Sequence, residues 1–87
     1  MKTRIIIPTY NEHENILSLI AELLVVAPEG TRILVVDDRS PDGTAELVRQ
    51  FAAREPRVSL MVRSGARGFR AAYQDALRRV LADGGDD

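Results

Sequence analysis

The 87 residues suffice for one domain with a modest core, since a chain of this size buries only about 60–65% of its unfolded surface. Hydrophobic residues make up 45%, charged residues 29% and the net charge is −1, which gives no general attraction to nucleic acid or to an anionic membrane. The absence of cysteine excludes disulfides and thiolate metal sites, and no run of about 18 apolar residues could span a membrane.

The chain opens with a strand signal over residues 3–7, which include three consecutive isoleucines. Pro8 should end this strand, because proline cannot donate to a ladder. Asn11 and Glu14 have the spacing of a capping box, which predicts a helix that begins near Glu12. Apolar residues then recur at helical spacing.

The centre of the chain is a continuous branched apolar run over residues 33–36. Such a run predicts a parallel strand that is covered on both faces. Asp37 and Asp38 follow it directly, at the carboxyl end of a strand, where open α/β sheets bind their ligands. Ser40 is a suitable N-cap and Pro41 a suitable first residue for a second helix.

A third strand is predicted at Val58–Val62, and a regular apolar stripe predicts a third helix over residues 69–81. The loop between them carries Arg63 and Arg67, and Arg70 follows, so these cations could approach a diphosphate or remain solvated. The alternation predicts a three-layer, Rossmann-like half-fold, β-α-β-α-β-α, with a parallel three-stranded sheet.

If the first two strands are neighbours, their loops meet and form one crevice. Tyr10 could then pack on a base or sugar, and Asp38 could accept a hydrogen bond from a base N–H or a ribose hydroxyl. Asp37 and Asp38 could instead serve only as helix caps, but the two loops together favour a ligand site. His13, the single histidine, is interpreted as a solvated surface residue. Neither a Walker motif nor a dinucleotide-binding glycine motif is present.

Three segments together resemble the N-terminal part of dolichol-phosphate mannosyltransferase-like enzymes, which are inverting family 2 glycosyltransferases of the GT-A fold. The resemblance covers essentially the whole chain. The first two segments, in this order and spacing, are a specific signal. The segments are Ile-Ile-Ile-Pro-Thr-Tyr-Asn-Glu at 5–12, Val-Val-Asp-Asp-Arg-Ser-Pro-Asp-Gly-Thr at 35–44 and Arg-Gly-Phe-Arg-Ala-Ala-Tyr at 67–73.

The family transfers a sugar, often mannose from GDP-mannose, to a polyprenyl phosphate such as dolichyl phosphate. The resemblance implies a nucleotide pocket lined by Pro8, Tyr10, Glu12, Val36 and Asp38. It implies further donor-side contacts from Thr9, Asp37, Arg67 and Gly68. Of these, Asp37 is better suited to shaping the turn. No catalytic residue and no metal ligand is expected in this stretch.

The sequence departs from the family pattern at two places and stops before a third. Arg39 stands where the family usually has asparagine, and Gly68-Phe69-Arg70 replaces a Gly-Leu-Gly segment. The family's next strand carries an Asp-x-Asp motif that holds a divalent cation, Mg²⁺ or Mn²⁺, on the donor diphosphate. The sequence ends at Asp87 before such a motif, so residues 1–87 are expected to be the nucleotide-binding part, with no bound cation and no activity alone.

The expected partners are a nucleoside diphosphate sugar and, for the full-length protein, a polyprenyl phosphate, with no nucleic acid. The expected location is cytoplasmic, with membrane association in the full-length protein. An alternative is a non-catalytic binding module that forms a homodimer through an exposed strand edge. A response-regulator receiver domain is rejected, because the strand after the acid pair ends at Arg63 rather than at an aspartate.

Overall fold

The computed structural model describes residues 3–64 and 69–82. Strands and helices alternate along the chain, which confirms the predicted α/β class. The elements in chain order are β1 (Arg4–Thr9), α1 (Ile16–Val26), β2 (Arg32–Asp37), α2 (Thr44–Ala52), β3 (Val58–Val62) and α3 (Phe69–Ala82).

The three strands form one parallel sheet in the order β1-β2-β3. Residues 33–36 of the central strand are at most 2% exposed, as a continuous branched apolar run requires. Because all three strands run in the same direction, their last residues, Thr9, Asp37 and Val62, lie along one side of the sheet. We call this side the carboxyl edge.

Helices cover both faces of the sheet, which confirms the predicted three layers. On one face, Ile16 and Ile20 of α1 and Val48 of α2 pack against the odd-numbered residues of β2. On the other face, Ala76 of α3 packs against the even-numbered residues of β2. Neighbouring residues of a strand point to opposite faces, so a strand buried on both faces needs apolar residues at every position.

The predicted end of β1 at Pro8 is wrong, because the strand continues through Pro8 to Thr9. The carbonyl of Thr9 accepts the N–H of Asp38 at 3.0 Å, so the polar backbone atoms of Thr9 face β2. Those of the preceding residue therefore face away from β2. Proline is tolerated at this position because its missing N–H would have pointed to the open edge of the sheet.

The predicted capping box of α1 is also wrong. The helix begins at Ile16 with Asn15 as N-cap, and no side chain caps it. Residues 12–15 instead form a turn, in which the N–H of Ile16 donates to the carbonyl of Glu12 at 2.9 Å. Asn11 adopts a left-handed conformation with φ 58°. The conformation of this loop is thus set by hydrogen-bond partners elsewhere in the fold rather than by the local capping signal.

The second helix likewise begins later than Ser40 and Pro41 predict. α2 begins at Thr44, after Gly43 with φ 89°. The N–H of Thr44 donates to the carboxylate of Asp42 at 3.1 Å, so Asp42 satisfies one of the first helical N–H groups. The hydroxyl of Ser40 is engaged instead with the end of β2.

Within residues 3–64 and 69–82, no helix is both long enough and apolar enough to cross a membrane. The predicted location of the protein stays a prediction.

Candidate functional site

The loops that follow β1 and β2 meet at the carboxyl edge. Thr9 and Asp37 are register partners in the sheet. The Thr9 hydroxyl donates to Oδ1 of Asp37 at 2.8 Å, and both residues are buried. The meeting of the two loops that the sequence predicts is therefore held by a hydrogen bond between the last residues of the two strands.

The carboxylate of Asp37 is used inside the protein. It is 0% exposed, and Ser40 contacts both of its oxygens. The Ser40 hydroxyl donates to Oδ1 at 2.6 Å and the Ser40 N–H donates to Oδ2 at 2.8 Å. With the Thr9 hydroxyl on Oδ1, these bonds fold the chain back after β2. In this conformation the Asp37 carboxylate shapes the turn and is closed to a ligand.

Three consecutive backbone N–H groups of the first loop donate to side chains of the second loop. The N–H of Asn11 donates to the Ser40 hydroxyl at 2.9 Å. The N–H groups of the next two residues donate to the Thr44 hydroxyl at 3.0 Å and to Oδ2 of Asp42 at 3.1 Å. We call these three bonds the loop bridge. They explain why oxygen-bearing side chains occupy positions 40, 42 and 44, and why neither helix follows its local capping signal.

Hydrogen bonds from Thr44 and from the loop bridge stabilise the charged form of the Asp42 carboxyl group. The pKa of Asp42 is lowered from its ordinary value of 3.8, chiefly by the hydrogen bond from the Thr44 hydroxyl. The backbone N–H groups of His13 and Thr44, and the charge of His13, lower the pKa further, while partial desolvation opposes them. Asp42 is therefore a pH-sensitive part of the connection between the two loops.

The Asp42→Asn variant should show the effect of this carboxylate on stability. Because the pKa of Asp42 is lower in the folded than in the unfolded chain, its stabilisation is present above about pH 4 and is lost as the pH falls. We expect D42N to melt below the parent chain at pH 7, with a difference that shrinks on acidification. Thermal unfolding followed by circular dichroism between pH 2.5 and 7 measures it.

The exposed Glu14 offers a control with the same change of charge. Its variant Glu14→Gln should differ little from the parent chain at any of these pH values. A difference between D42N and the parent chain that stays constant from pH 7 to pH 2.5 would contradict the role of the Asp42 carboxylate.

Asp38 lies beside the crevice and pairs with a buried arginine. Its Oδ1 accepts NH1 of Arg63 at 3.0 Å, and the arginine side chain is only 3% exposed. Nε of Arg63 donates to Asp75 of α3 at 2.8 Å, and Asp75 also pairs with Arg78. We call Asp38, Arg63, Asp75 and Arg78 the charge chain. It connects the ends of β2 and β3 to α3.

Both readings of Arg63 from the sequence, a diphosphate contact or a solvated loop residue, are corrected by this geometry. Its guanidinium is enclosed between two carboxylates, and its backbone N–H donates to the carbonyl of Asp37 at 2.8 Å. Asp75 was not predicted from the sequence. The available signal was that Asp75 is the only acidic residue of α3 and immediately precedes the buried Ala76.

The other residues expected in the pocket differ in their access to it. Tyr10 is 46% exposed, Glu12 is exposed and Pro8 is partly buried. Val36 is 0% exposed and packs under α3, so a contact from this residue to a ligand would come from its backbone only. Arg67 and Gly68 lie outside the described residues.

Arg39 is held in an unfavourable backbone conformation beside Asp38. Its φ of 59° is left-handed, which costs a residue with a Cβ about 1–2 kcal/mol. Its NH2 lies 3.9 Å from Oδ1 of Asp38, and its side chain is 42% exposed. An exposed ion pair of this kind contributes about 0–1 kcal/mol. This ion pair alone offsets part of the backbone cost.

No group of three or more His, Cys, Asp or Glu within the described residues could hold a metal ion. Asp37 is saturated by hydroxyl and N–H donors, and Asp38 is paired with Arg63. This part of the chain therefore does not fit the divalent cation that the resemblance implies for the full-length family, and no chemical step is assigned to one.

Comparison with known proteins identifies the family of this chain. The family model described as Glycosyl transferase family 2 matches residues 4–83. The chain belongs to this family. The match includes β1, β2 and both loops of the candidate site, and it extends past α3.

Two curated relatives match most of this family 2 chain. The polyprenol monophosphomannose synthase of Mycolicibacterium smegmatis is 45% identical over 83% of this chain and 27% of its own length. The undecaprenyl-phosphate mannosyltransferase of Micrococcus luteus is 40% identical over 99% of this chain and 35% of its own length. The family 2 chain thus spans only about a third or less of these relatives.

A solved structure with the same fold is a mannosyltransferase from Pyrobaculum calidifontis in complex with GDP-Man and Mn²⁺. It matches 90% of the family 2 chain with a TM-score of 0.79 and 32% sequence identity, and 24% of its own chain is covered. The predicted GT-A half-fold and the resemblance to polyprenyl-phosphate mannosyltransferases are confirmed.

Proposed function

We propose that residues 1–87 are the N-terminal nucleotide-binding part of a glycosyltransferase that moves a sugar from a GDP-mannose-like donor to a polyprenyl phosphate. The observation that carries the proposal is the meeting of the loops after β1 and β2, which the Thr9–Asp37 hydrogen bond and the loop bridge join at the carboxyl edge. The names of the relatives support the reaction class, and the ligand of the structural neighbour supports the donor.

In this proposal the two loops bind the nucleoside end of the donor. Tyr10 supplies an aromatic ring for the base or sugar, and Asp38 supplies the principal hydrogen-bond acceptor. Pro8, Glu12 and the backbone of Val36 complete the pocket. The Asp-x-Asp strand and the acceptor site belong to other parts of the full-length protein, so this stretch alone binds a donor without transferring its sugar.

Calorimetric titration with GDP, GDP-mannose and UDP tests the proposal. We expect weak binding of a nucleoside diphosphate, measurable at up to millimolar concentration. Tyr10→Ala should weaken it about tenfold, since stacking of a base on an aromatic ring contributes about 1–3 kcal/mol. Leu81→Ala, at an exposed apolar residue of α3, is the matched control and should bind like the parent chain. Absence of binding at millimolar nucleotide would overturn the proposal.

A second candidate, a self-associating module, is favoured by the edge strand β1. Among the described strands, β1 pairs only with β2. Backbone groups of alternate β1 residues point away from β2, and an exposed strand edge is a template for pairing with another chain. Pro8 lies on this edge and limits such pairing to the first part of the strand.

We therefore predict a homodimer that forms as the concentration rises. Light scattering should show the mass increasing from 9.6 kDa towards twice that value. A mass that stays at the monomer value up to millimolar protein would rule out the dimer. It would leave the nucleotide-binding proposal intact, because the crevice lies within a single chain.

A further inference from the structure

Asp38 is largely buried, so its orientation decides how a ligand can reach its carboxylate. Its side chain is 12% exposed, and its N–H donates to the carbonyl of Thr9 at 3.0 Å, which fixes its backbone beside β1. In the proposed pocket this carboxylate is the principal hydrogen-bond acceptor for the nucleoside. A hydrogen bond weakens steeply when donor and acceptor are poorly aligned. The groups that orient the Asp38 carboxylate therefore contribute to nucleotide binding without touching the nucleotide.

Arg63 holds the Asp38 carboxylate from the interior of the protein. Its NH1 donates to Oδ1 of Asp38 at 3.0 Å, and its side chain is 3% exposed. Its backbone is held next to β2, because its N–H donates to the carbonyl of Asp37 at 2.8 Å. A guanidinium is a rigid planar fork, so the direction of one N–H group sets the direction of the others. A group that fixes Nε of Arg63 therefore also fixes the N–H group that Asp38 accepts.

Asp75, in the middle of α3, is the group that fixes Nε of Arg63. Its Oδ2 accepts from Nε at 2.8 Å, and its Oδ1 accepts from the exposed Arg78 at 2.8 Å. Aspartate is a weak helix former, and Asp75 lies beyond the first turn of α3, where a negative charge would stabilise the helix. The contribution of Asp75 to the structure thus comes from the contacts of its side chain, and the shorter path from it to the pocket runs through Arg63.

We infer that Asp75 is a positioning residue for nucleotide binding, which acts through Arg63 on the orientation of the Asp38 carboxylate. The inference rests on the proposed nucleotide-binding function and deepens it. It extends the determinants of that function from the loops after β1 and β2 to α3, the helix that packs on Val36 through Ala76. A carboxylate that is already held in its binding orientation loses less conformational freedom when the ligand arrives.

The Asp75→Ala variant should weaken the binding of guanosine and of GDP by the same factor, about fivefold, because the proposed Asp38 contact is to the nucleoside. Alanine preserves the helix, and Arg63 keeps Asp38 as a partner, so the chain should fold. Asp75→Asn keeps an uncharged oxygen that can accept from Nε of Arg63, so its affinity should lie between those of D75A and the parent chain. Titrations followed by NMR chemical shifts measure these affinities, and circular dichroism checks the fold.

Arg78→Met is the matched control. It removes the other printed partner of the same carboxylate, but Arg78 is 73% exposed and does not contact Asp38 in the charge chain. R78M should therefore bind guanosine and GDP like the parent chain. A loss in R78M equal to that in D75A would overturn the inference, because it would assign the effect to α3 in general rather than to the contact with Arg63.

A double-mutant cycle separates positioning of Asp38 from a general loss of structure. If Asp75 acts through Asp38, D75A should have no further effect on affinity in a chain that already carries Asp38→Asn. With Tyr10→Ala, by contrast, the losses should add, because the tyrosine acts from the loop after β1. If D75A does not fold, the same cycle is measured with D75N, whose loss should likewise disappear in the D38N background.

A folded D75A variant that binds guanosine and GDP like the parent chain would overturn the inference. Additive losses of D75A and D38N would do the same, because Asp75 would then act by a route that does not include Asp38. In each of these cases the parent chain still binds, and the proposed function stands. A parent chain that binds neither guanosine nor GDP would overturn the proposed function, and the role of Asp75 with it.

Discussion

Arg63→Met should destabilise the chain by about 3–5 kcal/mol, the cost typical of removing one partner from a buried ion pair. The guanidinium separates Asp38 from Asp75 and is 3% exposed. Methionine fills much of the same volume, but it leaves two carboxylates facing an apolar group. Small domains have total stabilities near the low end of about 5–15 kcal/mol, so R63M should be largely unfolded at moderate urea concentrations.

Urea unfolding at pH 7, followed by circular dichroism, measures this loss. Arg78→Met is the matched control, since Arg78 pairs with the same Asp75 but is 73% exposed, and its loss should cost at most about 1 kcal/mol. If R63M does not fold, the triple variant that combines R63M with Asp38→Asn and Asp75→Asn tests the same ion pairs. Removal of all three charges should restore most of the stability. If the free energy of unfolding of R63M lies within about 1 kcal/mol of that of the parent chain, the stabilising role of Arg63 in the charge chain is contradicted.

Asp37→Asn is expected to cost about 2–3 kcal/mol, although it changes only one atom. The carboxylate accepts from the Thr9 hydroxyl and from both the hydroxyl and the N–H of Ser40. An amide can keep its oxygen on the Ser40 N–H only if its NH₂ group faces the two hydroxyls, which must then rotate and accept instead of donating. The hydrogen bonds to a charged acceptor are lost in this exchange, and such bonds contribute about 1.5–3 kcal/mol.

A double-mutant cycle of Asp37→Asn with Thr9→Val measures the same contact independently. The two variants should be non-additive, because each removes the hydrogen bond between these side chains. D42N serves as the control at an exposed position of the same loop, and it should cost less than D37N at pH 7. Additive losses for the Thr9 and Asp37 variants would show that the 2.8 Å contact does not stabilise the fold.

The sequence predicts the sheet well because the signals for it are local and strong. The short, branched apolar run at residues 33–36 favours a strand covered on both faces, and the structure places this strand at the centre of the sheet. The meeting of the two loops also follows from the parallel order. Pro8 led to a wrong prediction of where β1 ends, because the sequence does not show that β1 is an edge strand of the described sheet.

The starts of α1 and α2 and the partners of the charges could not be predicted in the same way, whereas α3 begins at Phe69 as its apolar stripe predicts. Ser40 has the chemistry of an N-cap, but Asp37 and the N–H of Asn11 engage its hydroxyl instead. Arg63 appears in the sequence as part of a basic loop, and its burial depends on Asp38 and Asp75, which lie 25 and 12 residues away. Contacts between residues so far apart in the sequence override local preferences. They form only when the chain is folded, so local sequence patterns do not reveal them.

The loop bridge has a consequence for local motion. The N–H groups of Asn11, Glu12 and His13 belong to exposed residues, and an exposed loop would ordinarily exchange its amide hydrogens with solvent at once. Here each of them is bound to a side chain between Ser40 and Thr44. The three amides should therefore exchange together, at the rate at which that turn opens. The polypeptide on both sides of the crevice then behaves as one cooperative unit, although 29 residues separate its halves.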